Sequence, residues 1–475
     1  MIQQPDIIDE LKIKDLRTVD FSVDGVGTIY FYEDRVFRGI NQKYKEQVLE
    51  MFEGGLIGEL MTNELIVDSW VAEVKIEGYE LVIEHKNIPY WNYSYEWSFN
   101  MLKDAANTIL EINKIANKYD FELFDVHSHN VVFDMGVPKY IDLGGFFRKD
   151  EANGKLWTGY LSFYNSFYMP LYLYSKGFSD LPQSIQLFHG YYNEKDFFKL
   201  RYGYFNLFSF GTLNLIYKIN YNGRHLATAR YHRVVERFGN HKFSKYILAF
   251  KKNFQSRYSL KKAYKLLGQI KESKFESYWQ NYHDNLDPDS DERFQRITAI
   301  IKNELSDAES LVELASNQGK FAKYVLESTQ VNKVIATDYD KNAVDDIYTS
   351  NRKSKEILPM VYDFVRLNGR INDRHIQTRI SADIVMALAV THHLLLSQDV
   401  SLGHIFKMLE SHAKKYIIVE FMPLGLYDGN LEKTPPVPDY YTLEWFRSAF
   451  SDHFEYILDE EVKINRHLFV GKLKN

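Results

Sequence analysis

The chain contains no cysteine among its 475 residues. This absence excludes disulfides, thiolate nucleophiles and cysteine-ligated zinc, and it is typical of proteins that stay in a reducing compartment. The sequence shows no run of about 18 apolar residues, so we predict no transmembrane helix. The first residues, MIQQPDIIDELKIKD, lack the basic start and apolar stretch of a secretory signal. We therefore expect a cytoplasmic protein.

Glycine is scarce where nucleotide-binding proteins often carry it. The sequence lacks GxGxxG, the loop through which dinucleotide-binding folds approach a pyrophosphate. Aromatic residues are abundant instead, at 16% of the chain with 35 Tyr and 33 Phe. This content indicates large aromatic cores or a surface that stacks against sugars or bases.

The length of the chain and its hydrophobic pattern indicate several domains. Turn residues and alternating apolar residues predict a hairpin over residues 20–40, followed by a helix over 43–61, two strands over 65–89 and a long helix ending near 119. The region 151–280 is predicted to be helical, aromatic-rich and basic. An acidic, polar stretch at 281–292 precedes apolar strands that alternate with helices, as in an α/β fold with a mostly parallel sheet. We therefore predict domains at 1–150, 151–280 and 281–475, the first two together forming one α+β domain.

A basic block lies inside the helical region. Residues 224–276 contain 14 Lys and Arg against 3 Asp and Glu, within a chain of net charge −6. Such a block could face anionic lipid, a phosphorylated substrate or nucleic acid, or it could be the solvated face of a helix. We favour contact with an anionic membrane or substrate over nucleic acid.

The segment 311–340 reads as a strand, a tight loop, a helix and a second strand. The loop keeps one glycine, Gly319, and the second strand ends at Asp338. In doubly wound folds the loop after the first strand lies against the ligand, and an acid at the next strand end binds ribose hydroxyls. Without the glycines that a pyrophosphate needs, the pattern favours S-adenosylmethionine over a dinucleotide.

Several further motifs carry a resemblance to a known family. They are ELASNQGKFA at 313–322, MALAVTHHL at 386–394, YIIVEFMP at 416–423, DYYTLEWF at 439–446, SYWQNY at 277–282 and YEWSFNMLKDA at 95–105. Together they resemble the class I S-adenosylmethionine-dependent methyltransferases, in particular a bacterial two-part family related to nodulation and cell-surface glycan methyltransferases. The resemblance implies a Rossmann-like C-terminal domain and a role in polysaccharide biosynthesis.

The resemblance also implies which residues bind the cofactor. The methionine end of S-adenosylmethionine would be lined by Glu313, Ala315, Asn317 and Gly319. Asp338 would hold the ribose hydroxyls, and Asp363 would lie near the adenine amine. Ala315 departs from the family, which has glycine there, and its methyl group is tolerated only if φ is negative.

Three residues near later strand ends are candidate general bases. His392 and His393 follow one strand, where a sugar hydroxyl could arrive, and Glu420 ends another. Methyl transfer also gains from alignment alone, so a base is not obligatory. The histidines could instead cap the next helix or bond within the fold. A histidine metal site is disfavoured, since no spaced third ligand is evident.

The N-terminal half contains a second constellation. Asp125 lies five residues before Asn130, and Asp142-Leu143-Gly144 follows twelve residues later. This spacing resembles that of protein kinases and aminoglycoside phosphotransferases, in which the acid is a base and the other two residues bind metal. The resemblance implies ATP and Mg²⁺. However, no glycine-rich phosphate loop or V-A-I-K strand is present, and Lys75 and Arg38 are poor substitutes for the nucleotide lysine.

The sequence therefore favours an S-adenosylmethionine-dependent methyltransferase with a kinase-like N-terminal region. The expected reaction is O-methylation of a hydroxyl on a surface-glycan or related saccharide precursor. Two alternatives remain open: a bifunctional methyltransferase and kinase, and a non-enzymatic interaction protein with two degenerate domains. Peripheral contact with the inner membrane face through the basic block is the alternative to a purely cytoplasmic location.

Overall fold

The computed structural model describes residues 10–18, 25–150, 154–189, 196–198, 256–272, 288–352, 355–365, 379–427 and 429–474. Contacts divide the chain into two compact units. The N unit comprises Met1–Ile88, Leu102–Val132 and Pro138–Ser273, and the C unit comprises Pro89–Met101, Phe133–Val137 and Lys274–Asn475. The two units are therefore interleaved in sequence, which differs from the consecutive domains expected from composition.

The first part of the N unit is built around an antiparallel sheet. Its elements are β1 (Glu10–Leu11), β2 (Arg17–Thr18), β3 (Gly27–Tyr32), β4 (Arg35–Ile40), α1 (Lys45–Glu53), α2 (Leu56–Thr62), β5 (Ser69–Val71), β6 (Lys75–Ile76) and β7 (Leu81–His85). Five strands form one sheet in the order β2-β3-β4-β7-β5. The hairpin predicted over 20–40 is confirmed at its Glu33-Asp34 turn. The predicted helix over 43–61 is broken at Gly55, whose φ of +91° suits glycine.

The following elements include the long helix that the apolar spacing predicts. They are α3 (Phe99–Ala116), β8 (Phe121–Leu123), β9 (Val131–Asp134), β10 (Val137–Tyr140), β11 (Phe146–Arg148), α4 (Tyr160–Phe163), α5 (Met169–Tyr174), α6 (Leu181–His189) and α7 (Leu260–Gly268). Leu102, Ala106, Ile109 and Leu110 recur at helical spacing along α3 and are buried. This burial confirms that α3 is amphipathic.

The rest of the C unit alternates strands and helices, as the sequence predicts. Its elements are α8 (Glu292–Asn303), β12 (Ser310–Leu314), α9 (Lys320–Ser328), β13 (Lys333–Asp338), α10 (Lys341–Asn351), β14 (Ile357–Val361), β15 (Ala382–Ala387), α11 (Thr391–Ser397), α12 (Leu402–His412), β16 (Ala413–Phe421), α13 (Leu443–His453), β17 (Phe454–Lys463) and β18 (Arg466–Leu473). The strands form one seven-stranded sheet in the order β14-β13-β12-β15-β16-β18-β17. This is a Rossmann-like fold.

The register of this sheet determines where its ligand site lies. The first five strands are parallel, and β18 is antiparallel to both β16 and β17. Strand β12 lies inside the sheet and β14 lies at its edge, and both are buried along their whole length. This burial explains their largely apolar sequences. Because the parallel strands end at the same edge, residues that follow β12 to β16 gather there.

An upstream segment belongs to this C unit. The side chain of Asn92 donates to the Pro359 carbonyl on strand β14 at 2.9 Å. The Glu96 carboxylate forms a buried ion pair with Arg379 at 2.9 Å. Asn100 binds the Asp345 carboxylate through both its backbone N–H and its side chain. Residues of the motif at 95–105 therefore stabilise the C unit, although they lie far from it in sequence.

Candidate active site

The loop between β12 and α9 has an unusual backbone. Ala315, Asn317 and Gly319 all have positive φ, at +59°, +49° and +67°. The Ser316 N–H donates to the Thr337 carbonyl, and the Gly319 N–H donates to the Ser316 carbonyl. Because a left-handed conformation costs an L-residue about 1–2 kcal/mol, Ala315 is strained. The negative φ on which its tolerance depended is not observed.

Glu313 lies in β12 just before this loop and is buried. Loss of solvent raises the pKa of its carboxyl to about 8, although the positive charge of Arg293 opposes the shift. Within the described part of the chain, its buried Oε2 atom has no hydrogen-bond partner. A buried carboxyl with one unsatisfied oxygen is suited to a cationic ligand.

Asp338 ends strand β13 and connects the loop to it. Its Oδ2 accepts from the Asn317 N–H at 2.8 Å, and its Oδ1 accepts from the Asp340 N–H at 2.9 Å. Burial raises the pKa of Asp338 to about 6, although these two hydrogen bonds oppose the shift. Since each carboxylate oxygen accepts more than one hydrogen bond, Asp338 can still bind hydroxyl groups.

Two further residues lie at neighbouring strand ends. Asp363 follows β14 by two residues, is half-buried, and accepts from the Val365 N–H at 3.2 Å. Tyr339 lies between Asp338 and Asp340 and is 56% exposed. An aromatic ring exposed at a ligand-binding edge offers a stacking surface. Sequence reasoning missed Tyr339, although its position between two acids at a strand end was an available signal.

His392 and His393 lie at the start of α11, with ring centroids 4.1 Å apart. Burial is the largest of the causes that lower the pKa of His392 to about 3, with contributions from His393 and Arg466. Burial also lowers the pKa of His393, which is more accessible. His392 is therefore neutral and weakly basic near pH 7, so His393 is the better candidate base.

Glu420 is unsuited to the role of base that the sequence suggested. Its carboxylate is fully buried and accepts from Arg293 at 3.0 Å and from Arg466 at 3.0 Å. The backbone N–H of Ala389 donates to the same group at 2.9 Å. These contacts give Glu420 a structural role. Neither arginine was predicted, because each lies far from Glu420 in sequence.

The N-terminal candidates lie within the N unit and have protein partners. Asp142, predicted as a metal ligand, pairs with the buried guanidinium of Arg38 at 3.1 Å. Asp125 lies 3.3 Å from His127, whose hydrogen bond lowers the pKa of Asp125. Asn130, the other predicted ligand, donates to the Asp125 carbonyl at 3.4 Å. Lys75, which the sequence offered as a poor substitute for the nucleotide lysine, is exposed on β6.

The described residues show neither a metal-binding cluster nor a membrane-spanning helix. These residues contain no group of three or more His, Cys, Asp or Glu that could hold a metal ion. Within the same part of the chain, no helix is long and apolar enough to cross a membrane. Most of the basic block at 224–276 lies outside the described residues, so its predicted surface stays a prediction.

Comparisons with known proteins give one relative in sequence and several in structure. No family model matches the chain. Nodulation protein NoeA of Rhizobium meliloti (strain 1021) is 26% identical over 425 residues, which cover 84% of this chain and 83% of that protein. The N-methyltransferase NodS of Bradyrhizobium japonicum WM9, solved with S-adenosyl-L-homocysteine, is 9% identical, with a TM-score of 0.31 and coverage of 41% and 93%. A SAM-dependent methyltransferase from Aquifex aeolicus is 13% identical, with a TM-score of 0.30 and the same coverage.

Proposed function

We propose that this protein is an S-adenosylmethionine-dependent methyltransferase that acts on a hydroxyl of a surface-glycan or related saccharide precursor. The observation that carries the proposal is the edge of the C-unit sheet, where a loop with three residues of positive φ lies beside Glu313 and Asp338. Neither carboxyl forms an ion pair within the described residues, so both remain available to a ligand. The sheet order, with its antiparallel strand β18 inserted between β16 and β17, supports the same assignment.

The residues at this edge fit the parts of the cofactor. The unsatisfied oxygen of Glu313 would bind its ammonium group, Asp338 its ribose hydroxyls, and Asp363 its adenine amine. Tyr339 would lie against the adenine ring. When bound, the cofactor supplies a methyl group on a positively charged sulfur.

His393 would take the proton of the acceptor hydroxyl as the new carbon–oxygen bond forms. Its lowered pKa keeps the imidazole neutral, and its partial exposure leaves it reachable from the ligand edge. The chain then has to hold the hydroxyl in line with the methyl group, which lowers the entropic part of the barrier. His393→Gln should lower kcat more than it changes the affinity for S-adenosylhomocysteine.

Calorimetry with S-adenosylhomocysteine tests the proposal directly. Asp338→Ala should weaken binding at least about tenfold, because hydrogen bonds to a charged group are lost. The matched control is Asp452→Ala, which removes an exposed aspartate from the same unit. Unchanged affinity in Asp338→Ala would refute the ribose assignment. A wild-type protein that binds no cofactor would favour a non-enzymatic interaction protein.

A second candidate function is phosphotransfer by the N unit, in addition to methyl transfer. The spacing of Asp125, Asn130 and Asp142 supports it. So does the position of Arg38 on β4, the third strand of the five-stranded sheet, because kinases carry their nucleotide lysine on their third strand. The Arg38–Asp142 ion pair argues for the inactive form, since Asp142 would otherwise be available to Mg²⁺. Binding of ATP with Mg²⁺ that is lost in Asp142→Ala would establish the active form.

We also propose that the basic block at 224–276 holds an anionic acceptor or touches an anionic membrane. Its charge of 14 basic against 3 acidic residues supports this proposal. Binding to anionic vesicles should then weaken steeply as salt rises, because exposed charges are screened. Absent or salt-independent binding would remove the membrane proposal.

A further inference from the structure

Two arginines share one carboxylate at the ligand edge of the C unit. Glu420 is completely buried, Arg293 is almost completely buried, and the side chain of Arg466 is 19% exposed. Arg293 contacts both oxygens of Glu420, at 3.2 and 3.0 Å, whereas Arg466 reaches the carboxylate through a single nitrogen. The cluster therefore carries one more positive than negative charge.

Arg466 is the member of this cluster that can reach a ligand. It begins β18, and the pairing of Phe421 with His467 places it beyond the carboxyl end of β16. A guanidinium has five N–H donors. Among the described residues, one guanidinium nitrogen of Arg466 donates to the Glu420 carboxylate. The other guanidinium donors of Arg466 have no acceptor among the residues that the structure describes, and its side chain is 19% exposed at the ligand edge.

The two groups whose pKa responds to these arginines, His392 and Glu313, do not neutralise this excess charge. The pKa of His392 lies at about 3, so this ring is uncharged near pH 7. Burial also lowers the pKa of His393. The pKa of Glu313 lies at about 8, so its carboxyl is mostly protonated near pH 7. An incompletely paired charge in a poorly solvated site is unfavourable, and an anion would compensate it.

We propose that Arg466 is the anion receptor of the acceptor pocket, and that the acceptor carries a phosphate or carboxylate close to the hydroxyl that is methylated. This inference rests on the proposed methyltransferase function. It specifies the acceptor class as acidic saccharides rather than neutral ones. Arg466 would bind the anion through the donors that Glu420 leaves available, since charge-assisted hydrogen bonds to a guanidinium are among the strong ones.

The test measures anion binding by calorimetry on the full-length protein, with and without saturating S-adenosylhomocysteine. The probes are inorganic phosphate, glucose 6-phosphate and glucuronate, with glucose as the uncharged match. We expect the wild-type protein to bind at least one anionic sugar more tightly than glucose. Arg466→Gln should weaken that binding at least about tenfold, and Arg466→Lys should retain part of it. Tighter binding of glucose 6-phosphate than of glucuronate would identify phosphate as the anionic group of the methyl acceptor, and the reverse order would identify carboxylate.

The matched control is Arg447→Gln, which removes an exposed arginine paired with Asp459 in the same unit. It should leave anion binding unchanged. S-adenosylhomocysteine should bind Arg466→Gln within about twofold of wild type, which also reports that the C unit is folded. If the cofactor and the anion lose affinity equally, Arg466 serves the cofactor and the inference is wrong. Wild-type protein that binds the cofactor but none of the anions would overturn the inference and leave the proposed function standing.

Discussion

Both units contain carboxylates that the sequence predicts to be site residues, but these carboxylates have different partners in the two units. In the N unit, Asp142 pairs with Arg38 and Asp125 lies beside His127. Among the described residues of the C unit, Asp338 accepts only from backbone N–H groups, and Glu313 has an unsatisfied oxygen. A carboxylate that pairs with a basic side chain has a structural role, whereas a carboxylate without such a partner is available to a ligand. Spacing along the chain does not distinguish the two cases.

Glu420 extends this contrast into the C unit, because it also has a cation partner. Glu420→Gln would leave Arg293 and Arg466 without their shared anion in a buried site. We expect a loss of about 3–5 kcal/mol in the free energy of unfolding, the cost of breaking a buried pair. Urea denaturation of the C unit measures it. Glu460→Gln, which breaks the exposed pair with Arg296, should cost less than about 1 kcal/mol. Equal losses in the two variants would contradict this difference.

The same contrast predicts a structural role for the Arg38–Asp142 pair of the N unit. Arg38→Met removes the partner of a partly buried carboxylate, since the Asp142 side chain is 21% exposed. We expect a loss of about 1.5–3 kcal/mol, the range for a hydrogen bond to a charged group. Thermal unfolding measures it, with S-adenosylhomocysteine affinity as the control that should not change. A stable Arg38→Met protein that gains affinity for ATP with Mg²⁺ would instead show that Arg38 blocks a nucleotide site.

The pH dependence of cofactor binding tests the availability of Glu313. Its pKa of about 8 means that below pH 8 the carboxyl must lose a proton before it can pair with a cation. The Kd for S-adenosylmethionine should therefore fall about tenfold as the pH rises from 6.5 to 7.5. Calorimetry across this window measures the slope. The Glu313→Gln variant should bind S-adenosylmethionine weakly, and its Kd should change little with pH. If the pH dependence of the wild-type protein persists in that variant, another group causes it.

Much of the C unit follows from its sequence, because buried parallel strands and helices leave clear apolar patterns. The end of β13 at Asp338 was predicted from that alternation, whereas β14 ends at Val361, two residues before the predicted Asp363. Contacts between distant segments were not predictable, since nothing in the sequence near Glu420 indicates Arg293 or Arg466. The backbone angle of Ala315 was also unpredictable, because the sequence shows only a residue that would be acceptable at negative φ.

Ala315 provides the smallest predicted effect in the ligand-binding loop. Its φ of +59° strains an L-residue by about 1–2 kcal/mol, and glycine removes this strain. Glycine also gains entropy in the unfolded chain, which offsets about 0.4–1 kcal/mol of the benefit. Ala315→Gly should therefore stabilise the C unit by up to about 1 kcal/mol in urea denaturation. Ala322→Gly, inside α9, should destabilise it by at least about 0.5–1 kcal/mol. Changes of the same sign in both variants would contradict the assignment of strain to Ala315.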